Sequence, residues 1–256
     1  MFKDNENITI VIVTKNNAKT IQKGLESVTK GIRPANQIIV GDNDSTDGTY
    51  DLLCKILGAE PVTIDGKTGL PPQFDGELNG TPVKIFRQRS CPTGQILNTA
   101  MQMKWQGVTV FGFMDPNSWY APDKISQAIC VFERFPAVAC VVSDCDNHYT
   151  DGRVERVFRN SFDVQKMLAT YEYDRNFLLR SKVFPVLKRG FDDKMSNMED
   201  YELLLRVSEI GLIYHIPAPL HNNRIQDGDI DNSSETTKNT TIARQMAITR
   251  RSNAGG

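Results

Sequence analysis

The chain has 256 residues, 39% of them hydrophobic, and a formal net charge of -1. That suits one large α/β domain, or two small ones, and it excludes a chain that attracts nucleic acid or anionic membrane through overall charge. The five cysteines are an odd count without C-x-x-C spacing, which argues against a disulfide framework or a structural zinc site. Cys54, Cys130 and Cys140 lie in apolar patterns and are expected as buried thiols. No apolar run approaches the roughly 20 residues of a membrane span, and the polar start at Met1-Phe2-Lys3-Asp4 lacks a signal-peptide core. The expected location is the cytoplasm, and peripheral attachment to a membrane is compatible with it.

In chain order, Ile8–Val13 is a β-branched run that reads as a fully buried strand. Lys15-Asn16-Asn17 breaks it, and Ile21, Leu25 and Val28 repeat at helical spacing. Ile38-Ile39-Val40 forms the next strand. It stops at the acid-rich stretch Asp42–Asp47, and Tyr50, Leu52, Leu53, Ile56 and Leu57 then mark a helix. Strand, helix and strand in that order imply parallel pairing with a right-handed crossover. Residues 58–82 are punctuated by glycine and proline and read as an inserted excursion, with a small hairpin as one option. Strands follow at 83–86, at 108–114 ending on Asp115, and at 138–142 running into Asp144 and Asp146. Helices are expected from Thr93 or Gly94 and over 122–135. Further on, 154–158 alternates like a half-exposed strand, 177–184 turns from strand to helix, and 199–210 is a helix. Ile213–Ile216 is a short strand stopped by Pro217 and Pro219. Residues 1–230 thus form one domain, and 231–256 a polar linker with a basic C-terminal tail, in which 242–251 could form a helix.

The acids carry the functional signal. Asp42 and Asp115 each end a strand at what should be one sheet edge, where open α/β sheets bind ligands. Glu199-Asp200 opens a helix. Each has an ordinary structural explanation as well. Acids at a helix start complement its dipole, Asp115-Pro116 suits a turn, and 42–47 could be a solvated loop. Their order along the chain, followed by His221 and Arg224, lifts them above those explanations.

With those motifs in place, the chain resembles the family 2 glycosyltransferases of the GT-A fold. The resemblance rests on Val11-Ile12-Val13-Thr14-Lys15-Asn16, on Gly41-Asp42-Asn43-Asp44-Ser45-Thr46-Asp47-Gly48-Thr49, on Asp115-Pro116-Asn117 with Tyr120-Ala121-Pro122-Asp123, and on Glu199-Asp200-Tyr201. It runs from about Ile8 to Arg224. It implies an α/β, Rossmann-like, mixed but mostly parallel sheet flanked by helices. It also implies an inverting enzyme that moves a sugar from a nucleotide-diphosphate sugar, a UDP-sugar foremost, to an acceptor hydroxyl. By the same resemblance Asp200 is the general base. Thr14, Asn16, Asp42, Asp44 and Arg224 meet the nucleotide, and Asp115, Asn117 and His221 hold a divalent cation, Mn²⁺ or Mg²⁺. Trp119 and Glu199 meet the acceptor, which would be a glycan, a lipid-linked or a small molecule.

The chain departs from the family pattern in places. Asn117 replaces the second acid of the metal motif, Asn43 and Asp44 replace an acid and a glycine, and no arginine accompanies Gln95-Ile96-Leu97-Asn98. Two alternatives stay open on these grounds. One is transfer to a modified nucleic-acid base or a protein, suggested by the basic tail (Lys238, Arg244, Arg250, Arg251). The other is a glycosyltransferase-like binding module without turnover.

Overall fold

The computed structural model describes residues 6–58, 73–195, 197–226 and 234–254. The first half is built from β1 (Ile8–Thr14), α1 (Ile21–Thr29), β2 (Gln37–Asn43), α2 (Thr49–Leu57), β3 (Gln73–Leu78), β4 (Thr81–Gln88), α3 (Thr93–Gln102) and β5 (Val110–Met114). Then come β6 (Ser118–Tyr120), α4 (Lys124–Arg134), β7 (Val138–Tyr149), β8 (Val154–Val157), α5 (Val164–Ala169), β9 (Leu178–Arg180), α6 (Val183–Leu187), α7 (Glu199–Ile210), β10 (Leu212–Ile225) and α8 (Ser234–Ala254).

Among the described residues ten strands form one mixed sheet in the order β3-β4-β2-β1-β5-β9-β7-β10-β6, with β8 paired to β7. The pairs β1–β2, β1–β5, β2–β4 and β7–β10 are parallel. β1, β2 and β5 are buried along their whole length, which is why they read as continuous apolar runs rather than alternating ones. Apolar cores lie on both faces of the sheet. One gathers Ile10, Ile12, Leu25, Leu53 and Ile129 beneath α1, α2 and α4. The other gathers Val11, Phe113, Leu97, Phe191 and Leu204 beneath α3 and α7. At Gly41 an added Cβ would stand 2.5 Å from Ile96 and 2.7 Å from Phe86. Only glycine lets α3 press this closely on β2, one residue before Asp42.

Several elements differ from the sequence expectation. Residues 59–72 of the excursion lie outside the described residues. The rest of it forms β3, which pairs antiparallel with β4 around Asn79-Gly80, both at positive φ. Such a two-residue turn matches the twist of the hairpin it closes. β10 does not stop at its prolines but runs through them to Ile225. Register shifts between Ile216 and Pro219 and between Pro219 and His221 absorb the missing donors. Cys130 is exposed rather than buried, whereas Cys54 and Cys140 are buried.

The segment expected as linker and tail is largely helix α8. It packs on α7 with Ala243 and Ala247 fully buried in the core. Its polarity hid that face, because two alanines make a weak apolar stripe. Among the described residues no helix is long and apolar enough to cross a membrane.

Candidate active site

Register alone assembles the first part of the site. Thr14 pairs with Asp42 across β1 and β2, and Asp42 pairs with Arg87 across β2 and β4. On the other flank Ile12 pairs with Met114, so Asp115 leaves the sheet at the same carboxyl edge. The loops at this edge are clasped together. Asn16, at φ 58°, donates its N–H to Ser45 Oγ at 2.9 Å and accepts from Thr46 N–H at 2.8 Å. Thr14 Oγ1 donates to Asn17 Oδ1. Thr14 and Asn16 are therefore held at this edge by hydrogen bonds within the protein.

Asp42 is completely buried. Its Oδ2 accepts from Ser45 N–H at 3.1 Å, while its Oδ1 has no partner among the described residues. Arg87 is held over the Tyr50 ring, 5.2 Å from its centroid, and donates to Ser45 O. Its Nε stands 3.4 Å from Asp42 Oδ2 and also lacks a hydrogen-bond partner among the described residues. Burial pushes the Asp42 carboxyl up from its ordinary range, against the opposing pull of Ser45 and Arg87. An orphaned acceptor beside an orphaned donor is costly in an interior, and a ligand carrying the complementary pair would relieve both. Asp44, at φ 58°, stays half exposed and lies 3.6 Å from Arg87.

The second part is an acid cluster around one guanidinium. Arg175 is ion-paired with Glu199 Oε1 and also lies in the field of Asp200 and Asp115. Glu199 is fully buried, and burial raises its carboxyl despite Arg175. Asp115 is raised too, by burial first, with Arg175 opposing and Asp174 and Asp200 adding to the rise. Its Oδ1 accepts from Asn117 N–H at 2.9 Å. Among the described residues its Oδ2 accepts no hydrogen bond. Asp200 is held at both oxygens: Oδ2 accepts from Tyr171 OH at 2.7 Å and Oδ1 from Tyr201 N–H at 2.7 Å.

Behind the acids lies a buried polar network. Asp174 Oδ2 accepts from His221 Nε2 at 3.0 Å, Arg159 at 3.2 Å and Asn223 Nδ2 at 3.1 Å. A carboxylate can only accept, so Nε2 carries the imidazole proton. Nδ1 then accepts from Lys124 Nζ at 3.1 Å and Ser143 Oγ at 3.2 Å. Burial lowers His221 to about 4 and Lys124 to about 7. His221 and the surrounding cations hold Asp174 well below the usual carboxylate range, against its burial.

His221 is therefore neutral when folded but takes a proton when unfolded below its ordinary value of 6.5. Its contribution to stability is present above pH 6.5 and is lost as pH falls to about 4. The expected loss is of order 3 kcal/mol. The raised carboxylates Asp42, Asp115 and Glu199 work in the opposite direction. The check is therefore a difference: urea unfolding of wild type and His221→Gln at several pH values. The wild type should lose more stability over that window than the variant.

The sequence points to Asn117 and His221 as metal ligands, and the fold engages both. Asn117 Oδ1 accepts from Asn17 Nδ2 at 3.0 Å and Thr20 Oγ1 at 3.1 Å. The donor atoms of Cys145, Asp174 and His221 lie within 4.8 Å of one another, but Lys124 and Arg159 touch the same group and oppose a cation there. Trp119 has Lys23 Nζ 3.2 Å from its ring centre and the His148 ring 4.8 Å away, so its neighbours belong to the protein. Arg224 is exposed at the end of β10, anchored by its backbone N–H on Asn117 O. It forms no ion pair among the described residues. Arg87, Tyr171, Asp174 and Arg175 were not legible as site residues. Three of them lie between α5 and β9, where no periodicity or motif marks them.

Residues 9–70 match the model of glycosyl transferase family 2. The chain is 23% identical over 250 residues to a chondroitin synthase of Pasteurella multocida (strain Pm70), covering 95% of this chain and 23% of that protein. It is 23% identical over 226 residues to a hyaluronan synthase of Pasteurella multocida, covering 87% and 21%. It thus spans less than a quarter of the length of these relatives. Among solved structures, S. aureus TarS 1-349 in complex with UDP superposes with a TM-score of 0.69 at 14% identity, covering 94% of this chain and 65% of that one. The mannosyltransferase PcManGT from Pyrobaculum calidifontis, in complex with GDP-Man and Mn²⁺, gives a TM-score of 0.59 at 14% identity, covering 90% and 59%. At such identities the likeness is one of fold, and the fold is of the GT-A type. The match to glycosyl transferase family 2 is carried by residues 9–70, which hold β1, α1, β2 and α2.

Proposed function

We propose that the chain is an inverting glycosyltransferase that moves a sugar from a nucleotide-diphosphate sugar to an acceptor hydroxyl. The observation that carries this reading is the carboxyl edge itself. It sets the buried, half-satisfied pair Asp42 and Arg87 on one side of β1 and the carboxylates of Asp115, Glu199 and Asp200 around Arg175 on the other. The first group suits a base edge. Asp42 Oδ1 accepts from a ring N–H while Arg87 Nε donates to an adjacent carbonyl, which uracil presents. Arg224 donates to the diphosphate, whose paired oxygens suit the two parallel N–H groups of a guanidinium.

Oxygen donors select a hard divalent cation, and Asp115, with an unbonded Oδ2, fits one. Asn117 and His221 would join only by giving up their present hydrogen bonds. Such a cation would neutralise charge on the leaving diphosphate. Asp200 does the proton chemistry. It takes the acceptor hydroxyl proton as the oxygen attacks the anomeric carbon, a C–O bond forms on that face, and the bond to the diphosphate breaks on the other. The two hydrogen bonds from Tyr171 and Tyr201 fix the carboxylate for that task. Glu199, held by Arg175, positions the start of α7 beside it.

The acceptor reading narrows. Arg244 binds Tyr201 OH and Ala169 O, Arg250 binds Glu209, and Arg251 binds Ser208. Three of the four basic residues that suggested a nucleic-acid acceptor thus serve to dock α8, which favours a glycan, lipid-linked or small-molecule hydroxyl. One observation favours a second reading, a module that binds nucleotide without turnover: the amide of Asn117 is already engaged. The deciding experiment incubates the protein with a panel of nucleotide sugars and Mn²⁺ and measures nucleoside diphosphate release. Release from one donor, abolished by chelation, is expected. Nucleotide binding without release from any donor would favour the second reading.

A further inference from the structure

Five of the ten large apolar side chains exposed among the described residues stand together on one face: Phe135, Val186, Ile210, Leu212 and Tyr214. Val186, Ile210 and Leu212 line a hollow of about 540 Å³ where β7 and β10 begin and α7 ends. Tyr214 follows Leu212 by two residues on β10, and its ring stacks on Phe135 at 5.6 Å. Scattered apolar residues need no explanation, but a contiguous patch marks an interaction surface.

The charge beside the patch has one sign. A second hollow of about 790 Å³ is lined by Lys104, Lys182, Lys188 and Arg189 over an apolar floor that includes Phe111 and Phe184. Lys182 lines both hollows, and no carboxylate lines either. Arg134 lies over the Phe135 ring at 5.4 Å. Arg189 is paired with Asp192 and Glu202, whereas Lys104, Lys182 and Lys188 form no ion pair among the described residues. Against a net charge of -1, this is a local concentration of cations that the overall composition conceals.

We propose that this face docks on an anionic lipid bilayer, with the apolar side chains at the headgroup–acyl boundary and the lysines among the lipid phosphates. Peripheral proteins combine these two forces. A second copy of the chain is a poorer occupant, because a two-fold contact would bring like cations together with no acids to meet them. The patch lies at the amino edge of β5, β7 and β10, so docking leaves the carboxyl edge, with Asp42, Asp115 and Asp200, facing away from the membrane. The proposal does not depend on the sugar-transfer reading.

The test is sedimentation with vesicles of phosphatidylcholine, with and without phosphatidylglycerol, at low and high salt. Binding is expected only to the anionic vesicles and should weaken with salt. Lys104→Ala, Lys182→Ala and Lys188→Ala should each weaken it about fivefold. Val186→Asp and Leu212→Asp should abolish it without lowering the melting temperature, since both side chains are more than half exposed. Absence of binding, equal binding to neutral vesicles, or binding indifferent to all five substitutions would overturn the proposal. So would a concentration-dependent dimer that Leu212→Asp dissolves, which would assign the face to a second copy.

Discussion

Asp200→Asn is expected to lower the transfer rate by roughly 10²–10⁴-fold, the usual contribution of a positioned general base, with nucleotide binding nearly unchanged. The substitution suits the purpose because asparagine keeps the volume and can still accept one of the two hydrogen bonds that Asp200 accepts from Tyr171 OH and Tyr201 N–H. Removal of proton-accepting capacity is then the main change. A loss of kcat with donor affinity preserved is the signature of a group acting on the acceptor hydroxyl. Tyr171→Phe is a milder companion. It removes one hydrogen bond to the carboxylate and should reduce kcat less than Asp200→Asn does. If Asp200→Asn retained full transfer, the proton acceptor would have to be another group.

Arg175→Met should cost stability rather than a single catalytic step. Glu199 is fully buried and Arg175 is its ion-pair partner. Removing one partner of a buried pair leaves an uncompensated charge, at a cost of about 3–5 kcal/mol. The remaining carboxyl would be pushed further up, so the variant's deficit should shrink as pH falls and Glu199 takes a proton. The double change Arg175→Met with Glu199→Gln should restore much of the loss, because it removes the orphaned charge. Urea denaturation of the single and double variants at neutral and acidic pH measures both effects. Equal stability of the single variant and wild type would mean that solvent reaches Glu199 freely.

The parts of the molecule that sequence reveals are those where one physical rule dominates. β1, β2 and β5 are buried throughout, so their apolar runs admit few other readings. Asp42, Asp115 and Asp200 are visible because each interrupts or opens such an element at a fixed place in the order. Arg175 and Tyr171 are invisible for the opposite reason. They sit in irregular chain between α5 and β9, and only tertiary packing carries them to Glu199 and Asp200. β10 misleads because proline normally ends a ladder, yet here bulges take up Pro217 and Pro219. Cys130 misleads because its apolar neighbours Ala128, Ile129 and Phe132 are buried while it falls on the exposed side of α4. α8 misleads because its burial rests on Ala243 and Ala247 and on arginines that dock it to α7.

The metal question shows how far motif reading reaches. Asn117 stands where the family places an acid, and its carbonyl could still ligate a hard cation. In the fold that carbonyl ties the turn before β6 to the segment leading into α1, through Asn17 and Thr20. A site with fewer anionic ligands should bind Mn²⁺ more weakly.

The measurement that tests the central claim most directly is calorimetric titration of uridine and guanosine diphosphates, with and without Mn²⁺, into wild type, Asp42→Asn and Asp115→Ala. The account predicts that one nucleotide binds, that Mn²⁺ strengthens it, and that Asp42→Asn weakens it by roughly ten- to a hundredfold, the worth of a charge-assisted hydrogen bond. Asp115→Ala should remove the Mn²⁺ dependence. No binding of either nucleotide to folded protein, or binding indifferent to both substitutions, would contradict a nucleotide-sugar site at this edge of the sheet.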